Sequence, residues 1–400
     1  MAFIGRTPTP VPLTSSDITD SIISTAKLAD NAVTTAKTVY KDVPFRNLVI
    51  NGDMSIAQRA SSTASITGNG YFSCDRMYLG VTSAGTWTQS QDTTVPSGQG
   101  FAKSLKMDCT TADCSISAAD NVLLQTRFEG QNLQHLKKGT SNAESLTVSF
   151  WVYATKTGTN IVELYDVDNT RQISQAYTIS SSNTWEKKEL TFAGDTTGTL
   201  DNDNASSFIL LFGLAAGSNF TSGTLNTSWA SATTANRYVG QVNHADSTSN
   251  NFYITGIQME VGSTASDFEF VPIDVNLARC QRYYHSIYNR SAGTNANTDS
   301  VDLAVGTDYD ASQMFIMPVL PVTMRTLPSV VQTTGTDFCL ALRNGAQDLF
   351  DGFGGTGNSG NNNLAIWTSS SNYSGSQAAS VRVRIGNSGA AYKLAANAEL

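Results

Sequence analysis

The chain has 400 residues, a formal net charge of −8 and only 14% charged residues, against roughly 25% in an ordinary soluble domain. An acidic chain without a basic run excludes nucleic acid as a partner, because phosphate binding needs clustered Lys and Arg. The longest apolar run, 208–216, is short of the roughly 20 residues of a membrane helix, so no membrane insertion is expected.

Length divided by about 150 suggests two or three structural units. Ser, Thr, Asn and Gly fill the place of the missing charges, and they suit strand faces and turns better than surface helices. A hydrophobic share of 40% is enough for real cores. The five cysteines, Cys74, Cys109, Cys114, Cys280 and Cys339, read most simply as free thiols. Cys109 and Cys114 also lie close enough to bridge a hairpin. The first ten residues carry no apolar core of signal-peptide length before their prolines, which predicts synthesis in a cytoplasm.

Taken in chain order, Pro8, Pro10 and Pro12 alternate and favour an extended arm. Leu13, Ile18, Ile23, Leu28 and Val33 then recur every five residues, around the near-repeats STAK (24–27) and TTAK (34–37). Five is neither the helical nor the strand period. One chain cannot bury such a pattern on itself, whereas identical chains wound about a common axis can. The segment 1–44 is therefore expected to be an oligomerisation stalk.

The second region, 45–272, reads as an antiparallel jelly-roll β-sandwich. It opens with FRNLVINGDMSIAQR (45–59), where Leu48, Val49 and Ile50 predict a first strand and Asn51-Gly52 a turn with glycine at positive φ. In 145–153, Leu146, Val148, Phe150 and Val152 share one face, leaving Trp151 and Tyr153 on the other. A strand at 161–165 ends in the turn 166–170. The charged strand 185–192 belongs at an edge, and 208–214, apolar on both faces, at a centre. In 252–261, Tyr253, Ile257, Met259 and Val261 are expected on one side, with Gln258 and Glu260 on the other.

Asp274 then caps a short connector helix within 273–290, with Leu277, Cys280, Gln281 and Tyr284 on one stripe. The remainder, 291–400, is a β-rich tip domain. Pro318 and Pro321 confine 319–324 to an edge or strand end. Strands are expected at 338–342 and 381–385, and GFGGTGNSGNNN (352–363) as a surface loop.

Several stretches in order, NLVINGDMSIAQR (47–59), CDRMY (74–78), LTVSFWV (146–152), FYITGIQMEVG (252–262), DFEFVP (267–272) and CQRYY (280–284), resemble a domain of tail-fibre-type proteins of tailed bacteriophages, marine phages of cyanobacteria in particular. The leader 16–37 resembles their attachment segments, and PVTMRTLPS (321–329) their tip domains. The resemblance implies a homotrimeric fibre or spike in the virion tail. Its arm would dock to other tail proteins and its distal parts would contact a host glycan or receptor. A carbohydrate-binding-module-like jelly roll would lie in the middle. Head-mounted or baseplate fibres and polysaccharide-cleaving tailspikes are the alternatives.

Within that frame Trp151 and Tyr153 form a candidate sugar platform, since aromatic faces stack on sugar rings. Trp367 and Tyr373 are tip candidates, and Trp87, Trp185 and Trp229 are less well placed. The resemblance also raises a structural calcium ion near Asp53, but Thr255-Gly256 stands where the carbohydrate-binding relatives carry acidic residues. Asp166, Asp168 and Asn169, and also 201–204, read as Asx-turns rather than calcium loops. No cofactor is expected. His135, His244 and His285 are isolated, without HExxH or GxSxG, and no carboxylate pair is marked for glycoside cleavage, so no enzyme is expected.

Overall fold

Alternation of apolar and polar residues builds the middle of the chain into two antiparallel sheets packed face to face. The computed structural model describes residues 45–290, 301–310, 312–333, 339–343, 346–356, 359–368, 373, 380–385 and 392–400. The expected stalk, with Leu13, Ile18, Ile23, Leu28 and Val33, lies outside the described residues.

With strands numbered in chain order, the first sheet runs β1 (Ser62–Ile66), β4 (Thr86–Asp92), β5 (Ser104–Thr111), β13 (Asn251–Val261), β7 (Leu146–Ala154), β10 (Glu186–Phe192). The second runs β12 (Ala230–Ser231), β9 (Arg171–Ile179), β8 (Gly158–Asp166), β11 (Ser206–Ala216), β6 (Asn121–Glu129), β3 (Tyr78–Thr82), β2 (Gly70–Tyr71). The charged β10 is an edge and the apolar β11 is central, as their composition predicts. The core lies between the sheets, where Leu105, Val148, Phe150, Val152 and Ile254 meet Leu124, Leu164, Leu210 and Phe212. Phe150 packs edge-on against both Tyr177 and Phe212 at 5.1 Å. Each such buried side chain contributes about 1.5–3 kcal/mol.

The C-terminal strands form two further antiparallel sheets. One is β14 (Tyr284–Arg290), β23 (Tyr392–Asn397), β17 (Ser329–Gln332); the other is β19 (Ala346–Phe350), β18 (Cys339–Arg343), β22 (Ser380–Ile385), β15 (Val301–Asp308), β16 (Met314–Ile316), β21 (Ile366–Thr368), β20 (Phe353–Thr356). Val381 and Val383 are buried while Arg382 is exposed, as their alternation predicts. The chain end folds back onto the sandwich. Glu399 is paired with Arg76 and, at 3.2 Å, with Arg59, all three side chains being nearly buried.

Several local expectations change. The segment around Leu48–Ile50 is not a ladder strand. It holds to β13 by single bonds, Leu48 N to Met259 O and Ile257 N to Gly52 O, both 2.9 Å. Positive φ falls on Asn51 (62°). Gly52 is required for a different reason, since a Cβ there would lie 2.0 Å from the Ile257 carbonyl oxygen. In β13 the pairing with β7 slips between Thr255 and Gln258. That bulge puts Tyr253 outside while Phe252, Ile254, Ile257 and Met259 face the core. The connector helix spans Ile273–Gln281, with Pro272 rather than Asp274 at the N-cap. Tyr284 begins β14, because the β-favouring run 284–290 pairs with β23. Within the glycine-rich 352–363, Phe353–Thr356 is a strand anchored by buried Phe353. All five cysteines are free thiols, and only Cys114 is exposed.

Candidate functional site

The outer face of the second sheet is closed by the stretch 217–243. Leu123, Ile161, Leu211 and Tyr238 form a buried cluster there. Beside them the fully buried Glu163 is forked by Arg237 at 2.8 and 2.7 Å and accepts the Tyr238 hydroxyl at 2.6 Å. These contacts hold a covering layer in place.

Among the described residues, the outer face of the first sheet is covered over only part of its extent. Segment 262–270 lies over Thr147, Gln258 and Glu260. Thr147 Oγ1 donates to Gly262 O at 2.8 Å. Glu260 accepts from Ser266 N and Oγ at 2.8 and 2.7 Å, and Glu269 N donates to Gln258 Oε1 at 2.8 Å. The edge of this cover is an aromatic trio, Phe101, Phe268 and Phe270, with centroids 4.9–5.1 Å apart.

Beyond the trio no described residue covers the face, and it is aromatic. Register fixes who meets whom: Tyr253 of β13 lies opposite Tyr153 of β7 and Lys106 of β5, and Trp151 lies between Thr255 and Lys187. The Tyr153 and Tyr253 rings are 5.1 Å apart, edge to face. Trp185, just before β10, closes the triangle at 5.6 Å from Tyr153 and 6.4 Å from Tyr253. All four residues, Trp151 included, are half-buried. The Tyr153 hydroxyl donates to Asn183 Oδ1 at 3.1 Å, Lys106 Nζ is 5.7 Å from the Tyr253 ring centre, and the Trp185 indole N–H is buried without a partner among the described residues. Burial raises the Tyr253 phenol above its ordinary value, so it stays a neutral donor. Chemically, this is a rigid apolar ring surface with a cation and hydroxyls at its rim.

The other sequence candidates are placed differently. Trp367 is half-buried against Phe315, 5.5 Å between centroids, on the outer face of the larger C-terminal sheet. Tyr373 is 5% exposed and donates its hydroxyl to Asp308, so its ring belongs to the C-terminal core and presents no face to a ligand. Trp87 is fully buried, donating to Ala84 O at 2.8 Å. Trp229 packs on Phe208 and donates to Ala193 O at 2.7 Å. Trp185, a less well placed candidate in the sequence, and Tyr253, which alternation assigns to the side of Ile257 and Met259, complete the cluster around Tyr153.

Asp53 accepts from Ser55 Oγ at 3.0 Å and Asn276 Nδ2 at 3.2 Å, which ties the opening segment to the connector helix. The turn after β8 already holds a cation, the Lys138 ammonium. It contacts Asp166, Asp195 at 2.9 Å and the Gly198 carbonyl at 2.8 Å. Burial alone would raise Asp195, but Arg171 and Lys138 hold its carboxyl below the usual range. Among the described residues, no three of His, Cys, Asp and Glu gather as a metal site. No helix among them is long and apolar enough to cross a membrane.

No protein-family model matches the chain, and no curated protein matches it. In part of its length it is similar to solved structures. One is the enzymatically active domain of bacteriophage CBA120 tailspike protein 4, 13% identical, covering 55% of this chain and 22% of that one, with a TM-score of 0.29. Another is TmCBM61 in complex with beta-1,4-galactotriose, 10% identical, covering 54% and 99%, TM-score 0.27. A third is the family 11 carbohydrate-binding module of Clostridium thermocellum with a mixed-linked tetrasaccharide, 11% identical, covering 51% and 97%, TM-score 0.24. The chain thus spans about a fifth of the tailspike structure. The jelly-roll assignment rests on the strand order above.

Proposed function

We propose that this chain is a tail-fibre-type virion structural protein whose sandwich contacts a host cell-surface glycan through Tyr153, Trp185 and Tyr253, with Trp151 beside them. The observation that carries this reading is the open, half-buried aromatic cluster beside Lys106. Its rings brace one another, so little side-chain freedom is lost when a sugar ring stacks on them. Hydroxyl and ammonium groups at the rim supply directional bonds. The order of fibre-like motifs along the sequence supports the virion-tail setting, in which the N-terminal arm docks to other tail proteins.

The five-residue apolar repeat supports a homotrimer. So do the exposed Val305 (68%), Met317 (68%) and Val319 (83%) of the C-terminal part, apolar surface of a kind that copies meeting side by side would cover. The role is binding rather than hydrolysis. Glu129, Glu163, Asp166 and Asp195 are each held by Arg or Lys, which suits structural ions and not a free acid–base pair.

Glycan-array binding of the full chain tests the site. Binding lost in Tyr253→Ala and Trp185→Ala is the expected result, and retention in both sinks it. Solution mass tests the assembly, which a stable monomer would exclude. Reducing-end release from host polysaccharide would overturn the non-catalytic reading.

A further inference from the structure

A second cleft, remote in sequence from the aromatic face, lies where the opening segment, the end of β6 and the connector helix meet. Its volume is about 320 Å³, within the range of small-ligand sites. Four guanidinium groups line it, from Arg76, Arg127, Arg279 and Arg282, against one carboxylate, Glu129. Glu129 is already spent on Arg282, at 2.9 and 2.7 Å, and on the Tyr283 hydroxyl at 2.5 Å. Arg76 is neutralised by Glu399 outside the lining. The Arg279 side chain has no ion pair or hydrogen bond among the described residues. The Phe45 ring stands 5.9 Å from its guanidinium carbon. Arg76 Nε and Arg127 Nε are buried donors without partners among the described residues, and Arg76 is only 1% exposed. Leu48, Ile50 and Leu133 supply apolar wall. Glu269 acts on Arg279 only through space, its oxygens accepting from Phe45 N and Asn47 N, and a half-buried guanidinium with no bonded counter-ion is costly, a cost relieved when an anion enters. In keeping with this, burial lowers Arg279 from its ordinary value.

We infer that this cleft is a binding site for a small organic anion, one carboxylate or sulfate group meeting Arg279 while a ring-sized body lies against Leu48, Ile50 and Leu133. The inference is independent of the aromatic face.

Calorimetric titration of the full chain tests it, with glucuronate, glucose 6-sulfate, cyclohexanecarboxylate and neutral glucose as probes. The anions bind and glucose does not. The four probes separate carboxylate from sulfate and sugar from plain ring. Arg279→Met weakens anion binding by about tenfold or more, the worth of a charge-assisted contact. That variant breaks no ion pair or hydrogen bond among the described residues, so its melting temperature is expected to stay close to that of the native chain. Trp185→Ala leaves anion binding intact, which keeps this result separate from the glycan reading. No heat with any anion, equal binding of glucose, or unchanged affinity in a folded Arg279→Met protein each overturns the proposal.

Discussion

Tyr153 and Tyr253 stand opposite each other on neighbouring strands, their rings 5.1 Å apart and nearly perpendicular. Each holds the other's rotamer, and Trp185 leans on both. Removing one ring should therefore disturb the other two. Tyr253→Ala is expected to cost about 2 kcal/mol of glycan affinity, a hot-spot magnitude. Trp151→Ala, whose ring joins none of these contacts, is expected to cost less. The double variant Tyr153→Ala/Tyr253→Ala should lose less than the sum of the singles. Titration with whichever glycan the array identifies measures all three, and strict additivity would show the rings to act separately.

Much of this face was legible in sequence. The alternation in 145–153 places Trp151 and Tyr153 outward without reference to any other strand. Tyr253 was not legible in the same way, because unbroken alternation from Met259 assigns it to the core side. The bulge at Gly256 reverses that assignment. A glycine inside a strand pattern was the available signal. Trp185 depends on how β10 is set against β7, a cross-strand register that neither strand states alone. Tyr373 lies outside any periodic run, so its burial against Phe350 follows only from the packed C-terminal sheets. The Arg76–Glu399 pair spans most of the chain, and no local pattern reports it.

Gly256 is the pivot of the bulge and carries a prediction of its own. Its φ is +63°, and a Cβ would lie 2.6 Å from Phe101 Cζ. Gly256→Ala must both enter the left-handed region, at roughly 1 kcal/mol, and displace a ring packed in the aromatic trio, at about 1–3 kcal/mol. Urea unfolding should show a loss of about 2–4 kcal/mol. Phe101→Leu in the same background should recover part of it, since the backbone strain remains. A loss under about 0.5 kcal/mol in the single variant would mean that the bulge is not formed.

Glu399 neutralises two arginines that are both nearly buried, Arg59 and Arg76. Glu399→Gln keeps the shape and removes the charge, leaving guanidinium groups in a low-dielectric junction. Loss of one partner of a buried pair costs about 3–5 kcal/mol. The expected result is a lower urea midpoint. Arg325 donates to the main-chain oxygens of Ala398 and Glu399 at 2.7 and 2.9 Å, so the backbone of the returning segment stays anchored. An unchanged midpoint would mean that the arginines find other anions or water.

His244 predicts the acid limb of stability. It is buried, with Nε2 2.8 Å from Asn160 Oδ1 and Nδ1 without a partner among the described residues. Burial pulls it down from 6.5 to about 4, with Lys156 adding to the effect and Asp246 opposing it. Between those values the unfolded chain binds a proton that the folded chain refuses, so stability falls as pH drops from about 6.5 to 4. The loss approaches about 3 kcal/mol at the lower end. His135 and His285, also lowered by burial, act in the same direction. The buried carboxyl of Asp75, raised by burial, acts in the opposite one. All three remain in His244→Gln, so the difference between the two proteins isolates His244. Urea midpoints taken across this pH range should fall more steeply for the native chain than for His244→Gln. Parallel curves would show that His244 is protonated as readily folded as unfolded.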